Sequence, residues 1–346
     1  MSRPPTEPED PVPPEPQVVQ LALCTSDPIA TVRRYTEALG FADAGGNLFW
    51  GERISVLQDL DEPDAACLVW WLVGRQDFVQ LELFQHSRPP QRPQDPGRRP
   101  SDHGWTRFGI AVPDFDAALA GMRSSGLEPI TEPMLAGGLR RVAFHDPELA
   151  VVVELMEEGV ALPGGVRPRF YDLAPALVSA TLSVADLDRA RTFLVETLGL
   201  VPVPDVVLHG PQHEALWGLA GARREAFVVR GGDVFLEVVR YDEPAGRAPD
   251  PGRRLSDQGI MNVAVGFRER PALDDLYARI VAAGHVVADP LPPPPAGGTY
   301  LHDDQGTSWE ILGLPREFDA QYGFVPVPGW QVQPRWPQPA VPPAAG

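Results

Sequence analysis

The sequence repeats itself, and no other feature constrains its fold as much. Residues from about Gln17 to Glu158 recur, in diverged form, from about Ala176 to Pro315. The stretch VVQLALCTSDPIATVRRYTEALGF (Val18–Phe41) aligns without gaps on LVSATLSVADLDRARTFLVETLGL (Leu177–Leu200). Asp27 then meets Asp186, Leu39 meets Leu198 and Gly40 meets Gly199. NLFWG (Asn47–Gly51) matches EALWG (Glu214–Gly218), and VQLELF (Val79–Phe84) matches VFLEVV (Val234–Val239). PGRRPSDHG (Pro96–Gly104) answers PGRRLSDQG (Pro251–Gly259), and with one gap AFHDPELAVVVEL (Ala143–Leu155) answers YLHDDQGTSWEIL (Tyr300–Leu312). Five matches in one order, at nearly constant offsets, define a tandem duplication.

A chain of 346 residues leaves room for two such domains, and 43% hydrophobic residues suffice for their cores. The expected division is a Pro- and acid-rich tail over 1–16, a first domain over 17–158 and a linker over 159–175. A second domain follows over 176–315, then a Pro-rich extension over 316–346. Residues 1–17 and the end from about Pro326 to Gly346 carry too little apolar surface to offset the entropy of ordering, so both are expected to be disordered. No run of eighteen apolar residues offers a membrane span, and residues 1–17 lack the apolar stretch of a secretory signal. Cys24 and Cys67 make no disulfide framework and read as core thiols, which points to a cytoplasmic protein. A formal charge of −18 argues against nucleic acid, and the short Arg98-Arg99 and Arg253-Arg254 clusters do not overturn it.

Within each copy a smaller unit recurs: a short apolar strand, a turn marked by Asp or Pro, a helix, then further strands. Ala190, Phe193, Leu194 and Leu198 fall at helical spacing before Gly199. Later in each copy Ala117, Leu119 and Met122 precede Gly126, and Leu276, Ile280 and Val281 precede Gly284. The chain thus reads as α+β, with four βαβββ modules. At this point SVADLDRARTFLVETLGL (Ser183–Leu200) resembles the opening of a vicinal oxygen chelate module. That is the fold of glyoxalase I, extradiol dioxygenases, methylmalonyl-CoA epimerase and the bleomycin- and fosfomycin-resistance proteins. The resemblance covers nearly everything between Gln17 and Pro315. It implies tandem domains whose modules pair into two half-open barrels with chemistry on the concave faces. It points firmly to a fold and only weakly to a reaction, because one scaffold hosts many activities. Modules could pair within each domain or across the two.

The resemblance also implies where ligands to a metal would come from: the first and last strands of each module. Carried onto this sequence, those positions are Gln20, Glu82, Arg107 and Glu154 in the first copy, and Ser179, Glu237, Asn262 and Glu310 in the second. Strand parity supports the placement independently. In VQLELF, Gln80, Glu82 and Phe84 share a face opposite Val79, Leu81 and Leu83; in VFLEVV, Phe235, Glu237 and Val239 face away from Val234, Leu236 and Val238. Glu154 lies among Val151–Val153 and Leu155, and Glu310 between Trp309 and Ile311. A carboxylate in an apolar strand is costly unless paired, hydrated, protonated or metal-bound. The plainer reading is that these glutamates meet open solvent or pair with Arg107.

No histidine occupies any of the eight positions, which weighs against an iron dioxygenase with its two His and one Glu. No cofactor is expected, with one exception left open: Gln20, Glu82 and Glu154 as an all-oxygen site for a hard divalent ion, opposed by the Arg107 guanidinium. In crossed modules Gln20 and Glu82 would instead meet Asn262 and Glu310. His209 and His213 have an i, i+4 spacing, but Gly210-Pro211 between them argues against a helix and hence against a metal pair. His145 and His302 read as turn or edge-strand residues, and His86 and His103 as loop residues. Trp50 and Trp217 read as equivalent strand aromatics walling a cavity, with Trp70, Trp71 and Trp105 as further candidates.

These readings point to an enzyme acting on a small, largely apolar carbonyl or aromatic compound by Glu-mediated proton transfer, of isomerase, cyclase or lyase type. The preferred site combines Glu237 and Glu310 with Asn262, and also Ser179, Trp217 and Phe235. The rival combines Gln20, Glu82, Arg107 and Glu154 with Trp50. A non-catalytic binding or resistance protein, and a divalent-metal glyoxalase- or dioxygenase-type enzyme, remain alternatives. The partner expected is a small molecule rather than nucleic acid or membrane, with the chain a monomer or homodimer.

Overall fold

Each module opens on a buried strand that turns into a helix at an acidic residue. In the computed structural model, which describes residues 14–136, 138–159, 175–203 and 208–327, Asp27, Asp114 and Asp186 are N-caps. Their carboxylates accept backbone N–H groups that the first turn leaves unpaired, as from Ala30 and Ala117 at 3.0 and 2.9 Å. The tails expected over 1–16 and 326–346 and the linker over 159–175 lie almost wholly outside the described residues.

The first module runs β1 (Gln17–Cys24), α1 (Pro28–Glu37), β2 (Ala42–Trp50), α2 (Glu52–Leu57), β3 (Ala66–Val73) and β4 (Gln80–Arg88). The second runs β5 (Gly104–Val112), α3 (Phe115–Ser124), β6 (Met134–Ala136), β7 (Leu139–Asp146) and β8 (Val151–Glu157). The third runs β9 (Ala176–Ser183), α4 (Leu187–Arg191), continued by a π-helical turn to Thr197, then β10 (Val201–Pro202), β11 (Arg223–Gly231) and β12 (Val234–Glu243). The fourth runs β13 (Gly259–Phe267), α5 (Arg270–Ala282), β14 (Gly297–His302) and β15 (Ser308–Gly313). Between α5 and β14 only a Val287–Leu301 bridge stands for a further strand. Pro290 and Pro292–Pro295 there have no N–H to give a ladder.

The modules pair across the duplication. One sheet has the order β14-β15-β13-β1-β4-β3-β2, joining the fourth module to the first; the other has the order β10-β11-β12-β9-β5-β8-β7-β6, joining the second to the third. The seams are the antiparallel pairs β1–β13 and β5–β9. Each sequence repeat therefore contributes half of each half-open barrel, and the boundaries 17–158 and 176–315 do not mark the two barrels.

Parity sorts the strand residues as expected. Leu21, Leu23, Leu81 and Leu83 lie in the large core beneath the helices with Tyr35, Phe108 and Trp309, while Ala22, Cys24 and Phe84 turn to the concave face. On β12, Val234, Leu236 and Val238 join that core, leaving Phe235, Glu237 and Val239 inside the second barrel.

Because each seam needs a strand from both halves, a chain cut between Glu158 and Pro175 should reassemble when its two pieces are coexpressed. Either piece alone, with β1 and β5 or β9 and β13 unpaired, should be unfolded or self-associated by circular dichroism and size exclusion. A folded, monomeric half would contradict the crossed pairing.

Candidate functional site

The crossed pairing gathers one polar residue from each of four adjacent strands. In the first barrel the strands β15, β13, β1 and β4 supply Glu310, Asn262, Gln20 and Glu82. Ala22 pairs with both Asn262 and Glu82, and Ala264 with both Gln20 and Glu310, so the four cluster within a few residues of one another. In the second barrel β8, β5, β9 and β12 supply Glu154, Arg107, Ser179 and Glu237 at the corresponding places. The crossed grouping offered by the sequence, Gln20 and Glu82 with Asn262 and Glu310, is the one the sheets assemble, while the two groupings confined to a single copy do not survive. Glu237 is separated from Glu310 and Asn262, and Glu154 and Arg107 from Gln20 and Glu82, because each pair lies in a different sheet.

The first barrel holds a cavity of about 310 Å³. Gln20, Glu82 and Glu310 line it among Phe49, Ile54, Leu57, Trp71, Phe84, Tyr300 and Leu312, with Arg53 from α2 also on its wall. Tyr322 and Phe324, from the segment after β15, close one end. Phe324 packs against Phe78 with ring centres 4.8 Å apart and planes tilted by 49°, and the Arg268 guanidinium lies over Phe78 at 3.7 Å. Gly323 sits at φ +72°, against the Trp71 ring, where a Cβ would come within 2.3 Å.

Polar atoms in this cavity are only partly paired. Trp71 Nε1 donates to Glu82 Oε1 at 3.0 Å. Gln20 Oε1, Glu310 Oε2 and both amide atoms of Asn262 are buried without a hydrogen bond. The Asn262 amide lies close enough to the Tyr300 hydroxyl to bias it electrostatically, in a geometry short of a hydrogen bond. Burial, and then the Glu82 charge, hold Glu310 well above the usual carboxylate range. Burial, with Glu310 and Glu82 beside it, likewise raises Tyr300, so its hydroxyl stays a neutral donor. The amide oxygens of Gln20 and Asn262 and the carboxyl groups of Glu82 and Glu310 are an all-oxygen donor set that fits a hard divalent ion.

The second barrel is filled instead by charge. His209 Nδ1 lies 2.8 Å from Glu237 Oε2, and its Nε2 2.8 Å from Glu154 Oε2. Both partners are carboxylates, so both ring nitrogens must donate and the ring is an imidazolium. Arg107 Nη2 donates to Glu237 Oε2 at 2.9 Å and Nη1 to Tyr241 at 3.2 Å, with its guanidinium 4.0 Å from the centre of the Trp217 ring. Arg224 reaches Glu214 at 2.5 Å and Glu237 at 3.2 Å, and Arg141 reaches Glu154 at 3.4 Å. Tyr241 and Trp217 Nε1 both donate to Glu214 Oε2, at 2.8 and 2.7 Å. Burial alone would raise Glu237 and Glu154, but His209 and the arginines hold both below the usual range. The two glutamates in turn raise His209 against the effect of burial. Three guanidiniums around these carboxylates do not fit a metal cation.

Several sequence-based placements change. Trp217 stands on a 3₁₀ turn over Pro211–Trp217 rather than a strand, inside the charged network. Trp50 ends β2 and is 51% exposed, so it walls neither cavity. Phe235 packs with Met156, Val178 and Leu208, and Ser179 lies against Gly109, where a Cβ would come within 2.6 Å of its Oγ. His86 lies in β4, buried, with Nε2 2.7 Å from Gln58 Oε1. His213 Nδ1 accepts the Gly210 N–H at 2.7 Å. Trp71, a sequence candidate for the cavity wall, does line the first cavity, whereas Tyr300, His209, Arg224 and Arg141 were not singled out from sequence as site residues. Tyr300 left a signal, since it aligns with Ala143, and both sit directly across from the glutamate of the next strand.

Removing one member of a buried ion network strands the rest, at a cost of about 3–5 kcal/mol. His209→Gln is therefore expected to lower Tm substantially. His209 has a raised folded-state pKa, so its stabilisation is complete below its ordinary pKa of about 6.5 and fades as pH climbs through the higher folded value. The Tm gap between wild type and variant should narrow toward alkaline pH; a constant gap from pH 6 to 10 would show that the ring is not charged.

By sequence, no family model and no curated protein matches the chain. By structure it is similar to a candidate dioxygenase of Bacillus subtilis, with TM-score 0.59 and 12% identity over 91% of this chain and 92% of that one. It is also similar to glyoxalase I of Zea mays, with TM-score 0.56 and 16% identity over 86% of this chain and 92% of that one. Among the described residues no helix is long and apolar enough to cross a membrane. Likenesses over nearly the whole length of both chains, at this low identity, establish architecture: the protein has the vicinal oxygen chelate fold, in four modules and two half-open barrels.

Proposed function

We propose that the first barrel is the active site of an enzyme that moves a proton next to a carbonyl on a small, largely apolar compound. One observation carries this reading: Glu82 and Glu310 open on the same apolar cavity with Tyr300 beside them, while the matching glutamates of the second barrel are tied up in ion pairs. Two carboxyl groups in mutual repulsion titrate as a pair, so that one keeps its proton to higher pH than the other. One member then accepts a proton from carbon while the other is ready to deliver one. As the C–H bond breaks, its electrons move onto the carbonyl oxygen, for which Asn262 Nδ2 and the Tyr300 hydroxyl are neutral donors. The proton returns from the carboxyl pair to the same or a neighbouring atom, giving epimerisation or isomerisation; elimination follows if a leaving group stands there instead. Phe49, Trp71, Phe84 and Phe324 exclude water and favour an apolar or aromatic body. A divalent ion, held by Glu82, Glu310, Gln20 Oε1 and Asn262 Oδ1, would add Lewis-acid polarisation of the same carbonyl oxygen.

Deuterium uptake from D₂O into the α-position of aryl ketones, read by mass spectrometry, tests this directly. Glu310→Gln and Glu82→Gln should each slow it at least about 100-fold, within the usual range for a general acid or base, with ketone affinity held within a few-fold. Ketones that bind with no uptake in wild type, or uptake indifferent to both substitutions, would reduce the cavity to a binding site.

Stability should move the opposite way. Because the folded-state pKa of Glu310 is raised, its contribution is lost as pH rises above the ordinary carboxylate value toward the folded one. Glu310→Gln should therefore melt above wild type at pH 8 and near it at pH 4, each kcal/mol counting for about 2–4 °C. A lower Tm at pH 8 would contradict an uncompensated buried carboxyl.

A further inference from the structure

The duplicated PGRR loops are the one motif that the acid–base site leaves unused. They place Arg92, Arg98, Arg99 and Asp102 in register with Arg247, Arg253, Arg254 and Asp257. The loops exchange ion pairs across the duplication: Arg92 binds Asp257 through Nε at 2.8 Å and Nη2 at 2.5 Å, and Arg247 binds Asp102 through Nε at 3.0 Å and Nη2 at 2.6 Å. Arg99 and Arg254 pair with the aspartate of their own loop.

The remaining two arginines have no such partner. Among the described residues neither Arg98 nor Arg253 meets a carboxylate. Arg98 Nη2 donates to the carbonyls of His103 and Trp105 at 3.2 and 2.9 Å; Arg253 Nη1 donates to Gln94 Oε1 at 2.6 Å and to the Gln258 carbonyl at 3.5 Å. Both line a cavity of about 490 Å³ with Arg92, Arg247, Gln94 and His103, and with Asp95, Asp102, Asp250 and Asp257, of which Asp102 and Asp257 are held by Arg247 and Arg92. Gly104 and Gly259, at φ +101° and +125°, leave room for them: a Cβ would stand 3.4 Å from Arg98 Nη2 and 3.2 Å from Arg253 Nη2. Gln94 Nε2, close by, is a buried donor without a partner. Each arginine keeps part of its surface open while the surrounding protein strips its water. Burial, then repulsion from Arg253, push Arg98 down to about 10. The lining sets four arginines against four aspartates, and among the described residues Arg98 and Arg253 are the two that pair with none of them.

We propose that this cavity binds a phosphate group, either as the free ion or as the head of a small phosphate ester. Two guanidinium forks and an amide N–H match an oxyanion with several acceptor oxygens, and a dianion balances the charge of the two guanidiniums. The cavity is larger than one phosphate and shares no lining residue with the acid–base site, so the two sites stand or fall separately.

Calorimetric titration with inorganic phosphate and with phenyl phosphate, at constant ionic strength in sodium chloride, tests the assignment. Wild type should take up one equivalent saturably, and Arg98→Gln and Arg253→Gln should each weaken binding about tenfold or more, the scale of one lost charge-assisted pair. Arg99→Gln, whose arginine faces its own Asp102, should stay within about twofold. Arg98→Lys, which keeps the charge and loses the fork, should fall between and serves if the glutamine variant does not fold. Tighter binding of phenyl phosphate marks an ester site, and equal binding a site for the free ion. No saturable uptake by wild type, or equal affinity in wild type and the Arg98 variants, would overturn the proposal.

Discussion

The antiparallel pairing of β1 with β13, matched by β5 with β9, is the constraint on which the rest of the molecule depends. Without it Glu82 and Glu310 would belong to separate sheets, and so would Glu154 and Glu237. With it, each barrel draws half of its concave face from either end of the chain. The same crossing brings the two PGRR loops together, so that Arg92 and Arg247 can exchange aspartates.

Duplication gave the two barrels the same four strand positions, and side-chain chemistry then separated them. Asn262 in one is Arg107 in the other, and that difference decides what surrounds the glutamates. A guanidinium amid apolar strands needs carboxylates, and Arg107 finds Glu237. His209 and two further arginines complete a network in which the glutamates are ionised and fully engaged. Such a network gives little net stability over an apolar filling, because desolvation consumes most of the Coulomb gain, but it tolerates no missing member. The neutral Asn262 makes no such demand. Its barrel keeps an open cavity in which burial and the Glu82 charge hold the Glu310 carboxyl well above the usual range, an arrangement that costs stability.

Fold and face were legible in the sequence because they rest on local periodicity. The duplication, the Asp caps and the parity of VQLELF and VFLEVV each follow from spacings of a few residues. Which glutamates share a cavity depends on pairing between strands some 240 residues apart, such as Ala22 with Asn262, and no local pattern encodes that choice. His209 was passed over for a related reason. Its Gly-Pro neighbours argued against a helical metal pair, but its place in the structure comes from a loop crossing to Glu154 and Glu237. Trp50 and Trp217 show the limit of alignment itself: the same Trp-Gly pair ends a strand in one copy and a 3₁₀ turn in the other.

The central claim is that one glutamate of the first barrel holds its proton at neutral pH while those of the second barrel do not. Carbon-13 NMR of the protein labelled at glutamate side-chain carboxyls, titrated from pH 3 to 10, measures this directly. The account predicts one resonance that titrates above the ordinary carboxylate range, vanishes in Glu310→Gln and shifts in Glu82→Gln, with Glu154 and Glu237 ionised throughout the neutral range. A spectrum in which every glutamate titrates at or below the ordinary carboxylate pKa would contradict it.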